Sequence, residues 1–354
     1  MSQDPTNGAG APTGATAAPA PESDAQSVSS TTGGRPSGEP LPAAPADLHD
    51  LAQPEEPSAP GGAWQRAADW AVLFKLRLAS LAVFGAFLGA WLGMGEERGL
   101  LDAIEASFWI ACTAASGCAL NQVIEQETDR RMERTKRRPL LTGRISVRDA
   151  VVASAVLGFA AVLGLAFRFN LLSSFLALSS LFLYVAVYTP LKRVSALNTL
   201  VGAFPGAAPV AIGFAAMTGN LWTWGISLFL IVFAWQFPHF MAIAWIHRED
   251  YRRAGMRMVP VLEGGERAAG IQAMAHSVVL IPISILPALL GDVGMIYLVG
   301  AVLIGIVYTA YSVRFALVQD ERRARALFHY SLVYLPVLFT LIFVDRYLGE
   351  GPLL

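Results

Sequence analysis

Asn121, Glu125, Asp129 and Glu133 stand four residues apart, and Arg134, Lys136, Arg137, Arg138 and Pro139 follow at once. Positions four apart lie one above another on a helix, so these side chains predict a single acidic stripe. Like charges at that spacing weaken a helix by roughly a few tenths of a kcal/mol per pair. A stripe of this kind beside an apolar run calls for a compensating cation. Mg2+ suits the ligand type: it takes hard oxygens at ~2.0–2.1 Å and binds through one or two carboxylates plus the phosphate oxygens of a substrate. Asn121 would add an amide oxygen. The cations just downstream suit a polyanion held next to the acids. Carboxylates for a metal beside bases for phosphate describe a diphosphate site. The plainer alternative is an ordinary helix end whose acids pair with neighbouring arginines, because structural ion pairs mimic sites.

A second polar stretch tips the balance towards chemistry. His247-Arg248-Glu249-Asp250-Tyr251-Arg252-Arg253 again leaves an apolar run, again takes acids into bases, and ends at Pro260. Two such loops can supply two groups of metal ligands around one diphosphate. Thr189-Pro190-Leu191-Lys192-Arg193 adds two further cations.

The elements that must position these residues are membrane helices. Hydrophobic residues make up 54% of the 354, against ~45–50% in soluble domains. They are concentrated downstream of an Ala-, Pro-, Gly- and Ser-rich tail over residues 1–62, which lacks the apolar surface needed to fold and reads as disordered. The tail is not a transit peptide: Arg35 is its one basic residue, against Asp4, Glu22, Asp24, Glu39, Asp47 and Asp50. No charged segment followed by an apolar one marks a cleaved secretory signal near Met1. Cys112 and Cys118 fit neither a disulfide framework nor a zinc spacing and read as packing residues.

From Trp70 onward, runs near the ~20 residues that cross a bilayer recur at 70–94, 101–120, 148–167, 171–189, 198–218, 222–244, 271–290, 294–313 and 328–348. The expected fold is therefore an all-α polytopic membrane protein of about nine transmembrane helices, with the membrane domain over 63–354. Short connections make successive helices antiparallel, and the charged ones then alternate. Lys75 and Arg77, the run Arg130–Arg148, Lys192 and Arg193, Arg248–Arg267 and Arg314–Arg325 fall on one side, and only Arg98, Arg168 and Arg346 on the other. Since Lys and Arg stay cytoplasmic, the N-terminus is expected in the cytoplasm and the C-terminus across the membrane. Topology alone explains the basic loops. It does not explain the acids among them.

The segment Asn121-x3-Glu125-x3-Asp129 followed by Arg134-Thr135-Lys136-Arg137-Arg138-Pro139 resembles the first signature of the UbiA superfamily of intramembrane prenyltransferases. Tyr188 to Arg193, Asn198-Thr199, Gly206-Ala207-Ala208-Pro209, Trp235-Gln236-Phe237-Pro238-His239-Phe240, Asp250 to Gly255 and Leu327 to Pro336 resemble the branch that farnesylates haem b. The likeness runs from about Leu73 to Val344. It implies a bundle of the UbiA type in the inner cell membrane, farnesyl diphosphate as donor, haem b as acceptor, haem O and diphosphate as products, and Mg2+ as cofactor. Asn121, Glu125, Asp129 and Asp250 become the metal ligands and catalytic residues by this likeness. Arg134, Lys136, Arg137, Arg138, Lys192, Arg193 and Arg253 become the diphosphate ligands. His239, with His329 a weaker candidate, would face the haem iron, and Tyr188, Tyr184, Trp235 and Phe240 would line the isoprenoid or macrocycle.

A lone membrane histidine more often bonds a neighbouring helix, and interfacial aromatics are more often anchors. The family usually has a carboxylate or Asn where this chain has Gln122, Asp where it has Glu125, and Lys-Pro-Arg where it has Lys75-Leu76-Arg77. The partners implied are the bilayer and haem A synthase or oxidase assembly proteins, with no nucleic acid. Three rivals stand: a prenyltransferase acting on a quinone precursor or another tetrapyrrole, a membrane transporter, and a non-catalytic oxidase assembly factor. Transporter sites lie near the midplane on interrupted helices, whereas these acids sit at helix ends.

Overall fold

The computed structural model of the protein describes residues 62–348, apart from 223 and 292 and the side chains of 77–81. The tail expected over 1–62 thus lies outside the described residues save for Gly62. The described chain is helical throughout: α1 (Ala63–Leu73), α2 (Leu76–Leu92), α3 (Leu100–Ile124), α4 (Gln126–Arg130), α5 (Val147–Arg168), α6 (Leu171–Phe182), α7 (Thr189–Leu191), α8 (Asn198–Thr218), α9 (Trp224–Ile246), α10 (Arg248–Arg253), α11 (Gly265–Leu289), α12 (Met295–Leu317) and α13 (Glu321–Leu348). Among the described residues eight helical segments are long and apolar enough to cross a membrane, one of them running from α6 through α7. The first expected span is the shorter α2, because the chain turns at Phe74 and Lys75 and leaves α1 as a separate helix. The fold is the multi-pass bundle the apolar runs predicted.

Lipid offers no hydrophobic drive between helices, so close approach rests on small residues. A Cβ added at Gly89 would lie 1.9 Å from the Val210 carbonyl oxygen, and one at Gly213 would lie 2.1 Å from that of Ala86. The backbones of α2 and α8 therefore touch in both directions. Helix α8 is the most enclosed, packed between α2, α6 and α9. A second group, α9, α11, α12 and α13, packs around Tyr308, Phe315, Tyr334, Leu338 and Phe339. Trp91 of α2 meets Phe343 of α13 at a ring separation of 4.0 Å. Outward rows such as Phe159, Phe167, Phe175 and Phe182 are exposed and form the lipid-facing surface.

Two irregularities bear on the site. Helix α3 ends at Ile124, with Glu125 at φ −89°, ψ 11°, although Asp129 N still donates to Glu125 O at 2.8 Å. Between α6 and α7, Leu183–Tyr188 forms a π-helix, a wider turn that recurs at functional sites.

Candidate active site

The polar stretches meet at one end of the bundle and are tied together by backbone. Arg257 N donates to Lys192 O at 2.7 Å, and Asn198 Nδ2 donates to Ser195 O at 2.7 Å and to Arg257 O at 3.0 Å. Met132 packs with Ala244, Ala254, Met256 and Met258, which seats the loop after α4 on the end of α9 and the segment after α10.

Within this frame every acid of the site is engaged by a cation. Asp129 is buried and paired with Arg138, itself mostly buried. Glu125, also buried, forms an ion pair with Lys192, its Oε1 2.9 Å from Nζ. Asp250 pairs with Arg253 across one turn of α10. Lys192 also lies 4.5 Å from the centroid of the Tyr188 ring, whose neighbour Tyr184 stands 5.4 Å away. Gly202 makes room for Tyr188: a Cβ there would come within 2.5 Å of the ring. Burial raises the Asp129 carboxyl above the ordinary aspartate value, and Arg138 opposes that rise without cancelling it.

The site differs from the predicted stripe in several respects. Asn121 is fully enclosed as a link between helices: its Oδ1 accepts from Lys75 Nζ at 3.0 Å, and its Nδ2 donates to Thr189 Oγ1 at 3.0 Å. Thr189 in turn donates to Tyr184 O at 2.8 Å. Glu133 leaves the stripe, because α4 stops at Arg130, and it pairs at the surface with Lys136 at 2.5 Å. Arg193 turns outward to Glu127 at 3.0 Å. Arg134 and Arg137 are exposed and make no ion pair among the described residues. Among the described residues no three of His, Cys, Asp and Glu gather closely enough to hold one metal ion. What exists is a buried pair, Glu125 and Asp129, with Asp250 apart on α10.

This donor set fits Mg2+ held jointly by carboxylates and ligand phosphates rather than by an all-protein cage. The buried Glu125 carboxylate, whose Oε1 faces the Lys192 ammonium but is left without a well-formed hydrogen bond among the described residues, is the group such an ion would satisfy.

Gln122 turns away from the site: its Nε2 donates to Leu73 O at 2.6 Å and fixes the end of α1. Lys75 and Thr189 are the partners that sequence reasoning missed. Lys75 is the one described non-glycine residue in the left-handed region, at φ 50°, and that turn brings its ammonium back onto α3. No sequence pattern signals a lysine in that conformation, which L-residues disfavour.

Deeper in the bundle, about two turns before the end of α9, His239 Nδ1 lies 2.8 Å from Ser331 Oγ on α13. Trp235 is buried, stacks on the imidazole at 4.9 Å and donates from Nε1 to Ser331 O at 2.9 Å, so it is not an interfacial anchor. Phe240 lies 5.6 Å from the imidazole. His329 is exposed on α13, pointing away from this group.

Residues 82–334 match the UbiA prenyltransferase family. A curated protein of Solibacter usitatus named protoheme IX farnesyltransferase is 41% identical over 256 residues, covering 72% of this chain and 88% of its own. One of the same name from Koribacter versatilis is 38% identical over 290 residues, covering 78% and 93%. In fold, the chain is similar to a solved UbiA homologue from Archaeoglobus fulgidus bound to GPP and Mg2+, with TM-score 0.57 and 18% identity over 78% of this chain and 100% of that one.

Proposed function

The chain belongs to the UbiA prenyltransferase family, and from that premise we propose that it transfers the farnesyl group of farnesyl diphosphate to a vinyl group of haem b, giving haem O and diphosphate. The acceptor follows the name shared by relatives such as those of Solibacter and Koribacter over most of their length. The observation that carries the donor side is the buried Glu125–Asp129 pair, each acid facing a cation at one end of the bundle.

Asp129 and Glu125 would hold the cofactor Mg2+ together with the diphosphate oxygens, with Asn121 and, from α10, Asp250 as the further ligands. When bound, Mg2+ supplies positive charge on the diphosphate oxygens as the leaving group departs. The chain's own residues do the rest. Arg138, Lys192 and Arg253, which pair with these acids, would also bind the diphosphate, and exposed Arg134, Lys136 and Arg137 would line its entry. Fixed donors aimed at growing charge are the large electrostatic term in such a reaction. The C1–O bond of the farnesyl diphosphate breaks and its electron pair leaves with the diphosphate. C1 then bonds to the terminal vinyl carbon of haem b. The cation left on the inner vinyl carbon takes the oxygen of water, which loses a proton, completing the hydroxyethylfarnesyl group. Tyr184 and Tyr188 wall the path with Lys192 at their edge, while helix walls keep water from the cation until C1 has reacted. The site face is cytoplasmic, as its excess of Lys and Arg requires.

Membranes containing the protein, incubated with haem b, farnesyl diphosphate and Mg2+, are expected to yield haem O on chromatography. A farnesylated quinone precursor with no haem O would overturn the acceptor. Substrate uptake into proteoliposomes that survives Glu125→Gln would favour a transporter.

A further inference from the structure

The His239 imidazole is held in one protonation pattern by a residue that touches no reacting atom. Ser331 Oγ lies 2.5 Å from Phe328 O. A carbonyl has no proton to give, and two oxygens that close repel unless a proton lies between them, so the hydroxyl must donate there. Its only proton is then spent, and towards His239 Nδ1, 2.8 Å away, Ser331 Oγ can only accept. Nδ1 therefore carries the ring proton, and Nε2 is left as a bare lone pair without a hydrogen-bond partner among the described residues.

The ring cannot easily flip, a turn that would put Cδ2 in place of Nδ1 and Cε1 in place of Nε2. It stacks on Trp235 at 4.9 Å with an interplanar angle of 21°, and Phe328 lies 5.2 Å away. Ser331 is itself anchored twice to α9, through its hydroxyl to His239 and through its carbonyl to the Trp235 indole at 2.9 Å. Tyr308 of α12 adds a third tie, donating to Trp235 O at 3.2 Å.

An imidazole whose Nδ1–H is bonded and whose Nε2 is bare, set among aromatic walls, has the form of a metal-binding histidine oriented by its outer partner. We propose that Ser331 is a positioning residue that locks His239 in the Nδ1–H tautomer, so that Nε2 binds the iron of the haem b substrate and sets the macrocycle for attack at its vinyl group. The inference rests on haem b being the acceptor.

The test uses the purified full-length protein with added haem b, reduced, and read by resonance Raman and absorption spectra. The wild type should show an iron–histidine stretch. His239→Ala should lose it and regain a ligated spectrum with added imidazole. Ser331→Ala keeps the backbone carbonyl that holds Trp235, so the helices stay together. It should weaken haem b binding about 10–100-fold and lower the stretching frequency, as the ligand loses its hydrogen-bond acceptor and becomes less basic. Ser331→Thr should restore both. A stretch that persists in His239→Ala overturns the ligation, and a Ser331→Ala spectrum and affinity equal to wild type overturn the positioning role. Haem O formation by the wild type is measured in parallel. Product without a histidine signal sinks this inference alone, whereas a histidine signal with no haem O sinks the assigned reaction.

Discussion

Glu125 and Asp129 differ in what their loss would expose. Glu125→Gln removes the charge facing Lys192, and Asp129→Asn leaves Arg138 mostly buried without its partner. Each should cut farnesyl transfer by at least about 100-fold, the scale of losing one electrostatic contact to a transition state, while the protein remains in the membrane fraction. Activity within a few-fold of wild type would remove these acids from the metal site. The raised Asp129 carboxyl gives a pH dependence with a definite sign. A metal ion binds the ionised form, so affinity is complete above the raised value and falls as acidification protonates the group. The decline should therefore begin above the range in which an ordinary aspartate titrates. Titration of Mn2+ by electron paramagnetic resonance across a pH series reads it directly, and affinity that stays flat until the ordinary range would contradict the burial argument. The sequence made these two acids legible because their spacing survives the break at Ile124. It misdirected on Glu133, since the same spacing rule continues where α4 has already stopped, and it held no sign that Arg193 turns to Glu127. Gln122 looked like an altered site residue and is instead the clasp on α1. Leu76, at the position where the resemblance led to an expected Pro, is the first residue of α2, the helical position at which proline is best accepted.

Helices α2 and α8 set the scaffold on which the π-helical segment and Lys75 are placed, and their contact has no slack. Gly89→Ala and Gly213→Ala each drive a methyl group against a backbone carbonyl, at Val210 and Ala86 respectively. Rigid backbone cannot give way as a side chain tip can, so each should cost about 1–3 kcal/mol, the range for overpacked interiors. Thermal unfolding in detergent measures it. Gly85→Ala is the control on the same helix, because its nearest neighbour is Val210 Cβ at an ordinary 3.8 Å, and it should be neutral. Equal effects at positions 85 and 89 would mean that helix propensity rather than packing governs. Apolar length announced the spans, yet it could not reveal the corner at Phe74 and Lys75. Hydropathy averages over about a helix length and runs through a one-residue left-handed turn. The π-helix at Leu183–Tyr188 was hidden for a related reason: its six residues are as apolar as their flanks, and only the hydrogen-bond pattern distinguishes them.

At the scale of the molecule, charge asymmetry and site location make one claim. The diphosphate cations, the acids and the loops that tie them all lie at the ends of α3, α7 and α9, on the face that holds most of the Lys and Arg. The opposite face holds fewer, Arg98, Arg168 and Arg346, and its turn between α8 and α9 offers Asn220 and Leu221 without a charge. Loops rich in Lys and Arg resist translocation, so the proposed orientation brings the diphosphate from the cytoplasm while the prenyl chain enters sideways through lipid. A charged headgroup then never crosses the hydrocarbon core, which would cost several kcal/mol or more per unpaired charge. In a background with Cys112 and Cys118 replaced by Ala, a membrane-impermeant thiol reagent should label Arg137→Cys in inside-out vesicles and spare it in intact cells. Asn220→Cys should show the reverse. Labelling of Arg137→Cys from outside the cell would invert the topology and deny the site its cytoplasmic substrate. Labelling of both positions from one side would break the antiparallel order of α8 and α9 on which the whole arrangement depends.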